Sequence, residues 1–238
     1  MADGRGQFVQ VSVADGTRMR LYVSRPQGAG LHPGIMVFQE AYGVNAHIRD
    51  VADRFAALGY TAASPELYHR TREGFEGTYS DFEATRPYFS AITNDGLESD
   101  IRATHQWLTN DPATDGTRLF SAGFCIGGRV SFIANSVVRL RAAASFYGGG
   151  IAPANLDRVS RMGSPMLFFW GGLDRHIGPE ITAQITAAFR AQGKPYVNVE
   201  FADADHGFFC DARASYNTKA AHQAFALLQA FYREHGGV

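Results

Sequence analysis

The sequence predicts one α/β domain: a mostly parallel sheet of about eight strands with helices on both faces. Short continuous apolar runs at residues 34–39, 119–124 and 166–170 have the composition of strands buried on both faces. Between them lie stretches with apolar residues at helical spacing, and this alternation predicts parallel strands joined by right-handed crossovers. The 238 residues show no break in composition, so residues 1–238 are assigned to a single large domain.

Taken in order, residues 7–23 alternate through Phe8, Val9, Val11 and Val13, then Met19, Leu21 and Val23, around Asp15 and Gly16. That pattern predicts an antiparallel hairpin at a sheet edge. The strand over 34–39 ends on Glu40. Asn45 is placed to cap a helix carrying Ile48, Val51, Ala52, Phe55 and Leu58, which Gly59 stops. A short strand, 60–64, follows and stops at Pro65.

Residues 66–94 are polar and aromatic with weak periodicity, including Tyr68, Phe75, Tyr79, Phe82, Tyr88 and Phe89. A segment of this kind is expected to be a lid or a helical insertion over the sheet edge. Leu97, Ile101, Thr104 and Leu108 mark the next helix. A strand then runs into Gly123, Phe124, Cys125, Ile126 and Gly127, and a helix is expected over 126–138. Strands are read at 142–147, 166–170 and 197–201, with a helix through Ile181, Ile185 and Phe189. The closing helix, 218–233, is expected to turn Phe225, Leu228 and either Phe231 or Tyr232 inward.

Composition narrows the function. A hydrophobic share of 45%, a charged share of 19% and a formal net charge of -1 describe a globule with no basic surplus for nucleic acid or an anionic membrane. Small neutral or weakly charged molecules are the expected partners, with no nucleic acid and no membrane, and the chain is expected to act as a monomer or small homo-oligomer. The first six residues lack the apolar core of a signal peptide, and no apolar run reaches membrane-spanning length. Two cysteines, Cys125 and Cys210, suit a reducing, cytoplasmic setting with free thiols, although a disulfide between them remains open.

Gly-x-Cys-x-Gly between a strand and a helix is the pattern of a nucleophile elbow in α/β-hydrolase sheets, with sulfur in place of the hydroxyl. The plainer alternative for Cys125 is a buried, inert thiol. Ligands of open α/β sheets gather at the carboxyl ends of strands. Of the eight histidines, His69, His176 and His206 fit that rule. His206 follows the last strand and precedes Gly207. Asp174 follows the preceding strand, so Cys125, Asp174 and His206 stand in the order nucleophile, acid, base. Asp203 and Asp205 compete with Asp174 as the acid, and His176 with His206 as the base. Glu40 is either a solvated strand-end carboxylate or an inward group able to take the thiol proton. The backbone amides of Ala41 and Ile126 are expected to form an oxyanion hole.

Together, Val-Phe-Gln-Glu-Ala-Tyr-Gly-Val-Asn (37–45), Gly-Phe-Cys-Ile-Gly-Gly (123–128), Phe-Tyr-Gly (146–148), Gly-Gly-Leu-Asp (171–174) and His-Gly-Phe (206–208) resemble the dienelactone hydrolase family, the carboxymethylenebutenolidases. The resemblance implies the α/β-hydrolase fold, no cofactor, no metal and a Cys125–His206–Asp174 triad. It also implies that Glu40 helps to generate the thiolate when substrate binds. Substrate contacts are expected from Arg86, Tyr88, Tyr147 and Arg213. The sequence departs from the family where an arginine closely follows the catalytic histidine. Cys210 stands four residues after His206, and the nearest arginine is Arg213. A general carboxylesterase without dienelactone activity, or a non-catalytic binding protein on the same fold, is the alternative.

Overall fold

The computed structural model describes residues 6–238; residues 1–5, most of the stretch read above for a signal peptide, lie outside them. Eight strands form one sheet in the order β1-β2-β4-β3-β5-β6-β7-β8. The chain divides into two compact units, residues up to Phe120 together with Val238, and Ser121–Gly237.

In the first unit the predicted hairpin is present. Strand β1 (Gln7–Ser12) pairs antiparallel with β2 (Arg18–Ser24), with Phe8 opposite Tyr22. Gly16 turns it with a φ of 86°, a left-handed conformation that costs glycine little. Strand β3 spans His32–Phe38, where the sequence reading had 34–39. Helix α1 (Ala46–Ala57) starts where Asn45 Oδ1 accepts the Ile48 amide at 3.3 Å, and Gly59 leaves it with a φ of 106°. Strand β4 (Thr61–Pro65) lies parallel to β3, with Ile35 opposite Ala62, and antiparallel to β2. The unit continues with the five-residue helix α2 (Arg86–Ser90) and with α3 (Asn94–Asn110), capped by Thr93 Oγ1 on the Gly96 amide.

Strand β5 (Thr114–Phe124) passes from the first unit into the second. There it leads to α4 (Ile126–Val137), β6 (Ala142–Phe146), a 3₁₀ turn at Leu156–Arg161, β7 (Met166–Gly171), α5 (Pro179–Ala191), β8 (Tyr196–Phe201) and α6 (Thr218–Glu234). Strands β6, β7 and β8 run parallel, with Phe146 opposite Phe169 and Phe169 opposite Val199. Each ends at the same edge, which is where their connecting loops collect.

Helix α6 turns Leu228 and Tyr232 inward as expected but corrects the reading of Phe225. Its buried stripe is Ala220, Ala221, Ala224, Leu228 and Tyr232, while Phe225 and Phe231 are half-buried. Small alanines let the helix approach closely, and the Tyr232 hydroxyl donates to the Ser121 carbonyl at 2.7 Å. Cys125 and Cys210 form no disulfide among the described residues. No helix among the described residues is long and apolar enough to cross a membrane.

Candidate active site

The end of β5 is built for close approach. A Cβ on Gly123 would stand 1.8 Å from the Gly127 carbonyl oxygen, and one on Gly128 would stand 2.7 Å from Gly148 Cα. Only hydrogen fits at these positions. The chain therefore turns sharply from strand to helix, and Cys125 is held at φ 55° and ψ -119°. A non-glycine residue there is strained, and such strain concentrates at functional positions. The turn is fixed by the Cys125 amide donating to Phe146 O at 3.1 Å and the Gly128 amide donating to Cys125 O at 3.0 Å. Cys125 keeps partial exposure at the positive end of α4, whereas Cys210 is fully buried. The Ile126 amide, the first of that helix, donates to no acceptor among the described residues.

After β7, Asp174 is fixed by the amides of His176 and Ile177, which donate to its Oδ1 at 2.8 and 3.2 Å. Its Oδ2 faces His206 Nδ1 at 2.8 Å. A carboxylate only accepts, so Nδ1 carries the hydrogen. The imidazole also hydrogen-bonds the Cys125 sulfur. Burial is the largest influence on His206 and would lower its pKa, but Asp174 and Cys125, by hydrogen bond and by charge, push it up to about 10. Burial would likewise raise Asp174; the hydrogen bond and charge of His206, aided by the two amides, hold it below the ordinary carboxylate range.

The competing carboxylates take other parts. Asp205 Oδ1 accepts the His206 main-chain amide at 2.6 Å and so shapes the turn, and Asp203 is exposed. His176 is exposed, its ring 5.5 Å from that of His206. Tyr147, at φ 38° and fully buried, has its ring 5.1 Å from the His206 ring. A Cβ on Gly207 would stand 2.5 Å from the Arg213 guanidinium carbon, so Arg213 lies over the backbone beside His206.

In the first unit, Glu40 is fully buried, which overturns the solvated strand-end reading, and Ala41 is 3% exposed. His47 is buried on α1. His69 forms its own pair with Asp100, at 3.1 Å. Arg86 is exposed and is engaged by Glu83 through both Nε, at 3.0 Å, and Nη2. Tyr88 packs on Phe75 with 4.2 Å between centroids and accepts from Arg72. Arg86 is thus held in a local ion pair. The sequence reading assigned no role to Gln39 or Tyr68, although a fully buried glutamine at a strand end is itself a signal.

A strained thiol between strand and helix, with the carboxylate after β7 and the histidine after β8 of an eight-stranded sheet, defines an α/β-hydrolase. The profile of the Dienelactone hydrolase family matches residues 19–236, and the chain belongs to that family. It is 34% identical over 221 residues to a Synechocystis protein provisionally named carboxymethylenebutenolidase, covering 89% of this chain and 90% of the relative. A provisionally named dienelactone hydrolase from Klebsiella pneumoniae superposes with a TM-score of 0.85 at 29% identity, covering 96% of this chain and 98% of the other. A dienelactone hydrolase-like promiscuous phosphotriesterase from metagenomic libraries shares the fold, with a TM-score of 0.84 at 23% identity over 97% and 99% of the two chains.

Proposed function

We propose that the protein hydrolyses small lactones or activated esters through Cys125, His206 and Asp174, without a cofactor. The observation that carries this reading is the relay itself, a strained thiol hydrogen-bonded to an imidazole whose other nitrogen is 2.8 Å from a buried carboxylate. The Cys125 sulfur attacks the carbonyl carbon, and the developing oxyanion is taken by the amides of Ile126 and Ala41. Collapse breaks the acyl–oxygen bond, leaving a thioester, and the departing alkoxide or enolate takes up the proton of the His206 imidazolium, which frees the imidazole. His206, oriented by Asp174, then takes a proton from water as the water attacks, and cleavage of the carbon–sulfur bond releases the acid. An enolate leaves with little acid assistance whereas an amide nitrogen must be protonated, so peptidase activity is expected to be weak or absent.

Asp174 and Cys125 beside it keep the His206 imidazole protonated at neutral pH. Glu40, the further carboxylate implied by the family resemblance and fully buried at the end of β3, helps to generate the thiolate when substrate binds. Thiolate absorbance in the ultraviolet, wild type against Cys125→Ser, measures the resting ionisation.

Arg213 beside His206 supports recognition of a substrate carboxylate, with Tyr147 forming part of the wall. A second reading, a general esterase without dienelactone activity, is favoured by the buried Cys210 four residues after His206 and by Arg86 being held on Glu83. Tyr88, packed on Phe75, then lines the segment without binding a charge. The test is turnover of a dienelactone, p-nitrophenyl acetate and longer esters by the wild type and by Cys125→Ser, with iodoacetamide titration of the thiol. Turnover that survives complete alkylation of Cys125 rejects the mechanism. Turnover of acetate but not dienelactone selects the second reading.

A further inference from the structure

The loop after β3 has its carbonyls tied down one after another. Gln39 Nε2 donates to Glu40 O at 3.2 Å, the Tyr68 hydroxyl donates to Ala41 O at 2.7 Å, the Gly77 amide donates to Tyr42 O at 3.0 Å, and Arg49 Nη1 donates to Val44 O at 2.7 Å. Gln39 is itself oriented, because its Oε1 accepts the Leu67 amide at 3.1 Å, which leaves its NH₂ as the end that meets Glu40 O. Gln39 is fully buried and Tyr68 is 3% exposed, so neither exchanges these contacts with water.

The Ala41 amide is different. Although nearly buried, it donates to no acceptor among the described residues. A buried N–H left without a partner is costly, and proteins keep one chiefly where a ligand oxygen will meet it. The Glu40–Ala41 peptide is planar and trans, so holding its carbonyl in one direction holds its N–H in the opposite one.

We infer that Gln39 is a positioning residue, which orients the Ala41 amide toward an oxyanion by clamping the Glu40 carbonyl. Tyr68 supports it from the next carbonyl. The inference rests on the hydrolytic reading above and deepens it. Gln39 touches no reacting atom. Its contribution is to keep a donor aimed before charge develops, so that no reorientation is needed during the reaction.

The experiment compares two thiol reactions that differ in whether an oxyanion forms. Addition of the thiolate to a trifluoromethyl ketone makes a carbon–sulfur bond and converts the carbonyl oxygen to an alkoxide. Alkylation by iodoacetamide makes a carbon–sulfur bond, expels iodide and forms no alkoxide. Gln39→Met is expected to lower both kcat on p-nitrophenyl acetate and affinity for the ketone by about 10- to 100-fold, below the loss for deleting a donor outright. Its iodoacetamide rate is expected to stay within about twofold of wild type, since thiolate formation is untouched.

Gln39→Glu retains the acceptor for Leu67 but loses the donor, so it tests the same point should the methionine variant fail to fold. Tyr68→Phe is expected to show the same pattern with a smaller loss. A folded Gln39 variant with ketone affinity and turnover unchanged overturns the inference. So does one whose alkylation rate falls in parallel, because that marks a general structural role. If instead Cys125→Ser keeps full turnover, the hydrolytic reading itself has failed.

Discussion

Each unit contains a histidine–carboxylate pair after a strand, and the two pairs are built differently. His206 Nδ1 meets Asp174 at 2.8 Å; His69 Nε2 meets Asp100 at 3.1 Å with both side chains fully buried. Asp100 is already engaged by the Arg70 guanidinium, whose Nη1 and Nη2 donate to its two oxygens at 2.9 and 2.8 Å. Arg70 Nε continues to Asp15 at 2.7 Å, so the cluster anchors the start of the 66–94 segment to α3 and to the β1–β2 turn. Asp174 has amides, not a cation, on its other oxygen, and its charge is free to act on the imidazole. The far nitrogen decides the outcome. His206 is turned to a partly exposed thiol, whereas His69 Nδ1 is buried with no hydrogen-bond partner among the described residues.

The largest effect that tests this contrast is on Asp174. Asp174→Asn preserves shape but removes the charge that fixes the Nδ1–H tautomer, and kcat on p-nitrophenyl acetate is expected to fall by about 10⁴-fold. Asp100→Asn is expected to leave kcat within about twofold while destabilising the fold by roughly 3–5 kcal/mol, the cost of removing one partner of a buried charged pair. Denaturant unfolding and steady-state rates on the same preparations check both. A large rate loss in Asp100→Asn with an intact fold would show that the contrast drawn here is false.

Stability should titrate through the C-terminal pair. In the unfolded chain His206 releases its proton near its ordinary value of about 6.5, whereas the folded protein retains it up to about 10. A raised folded pKa means that the pair's stabilisation is fully present below about pH 6.5 and is lost as pH rises toward about 10. Asp174, held low, loses its share only in acid, as pH falls through its depressed value. Melting temperatures of the wild type are therefore expected to drop between those limits more steeply than those of His206→Gln. Equal slopes reject the assignment.

Much of this was readable beforehand, because it depends on local chemistry. Asn45 as a cap, Gly59 as a stop and Gly16 in the hairpin follow from single-residue preferences that the tertiary context did not override. The placing of Cys125, Asp174 and His206 in the turns after β5, β7 and β8 was legible because each of those strands has a clear apolar run. What was not legible depends on partners distant in sequence. Asp174 was preferred to Asp203 and Asp205 because those two adjoin His206, but its actual contact with the ring, 32 residues away in sequence, needed the structure. The burial of Glu40 and the clamp made by Gln39 required knowing that the loop after β3 meets residues 67 and 68. Helix α6 misled for a related reason. Its large phenylalanines suggested the inner face, but close packing selected alanines.

The smallest predicted effect is on His69, and it tests why a histidine–aspartate pair alone is insufficient. His69→Gln keeps a side-chain donor for Asp100 and leaves the bidentate Arg70 contact in place. The loss is then one hydrogen bond's worth of stability, about 1 kcal/mol, with ester turnover and its pH profile unchanged. His206→Gln, the same substitution in the other pair, is expected to lower turnover by orders of magnitude, since glutamine cannot accept the thiol proton and return it. Equal rate losses in the two variants would mean that His69 shares the chemistry. Unequal losses, with comparable stability, tie function to the thiol facing the second ring nitrogen.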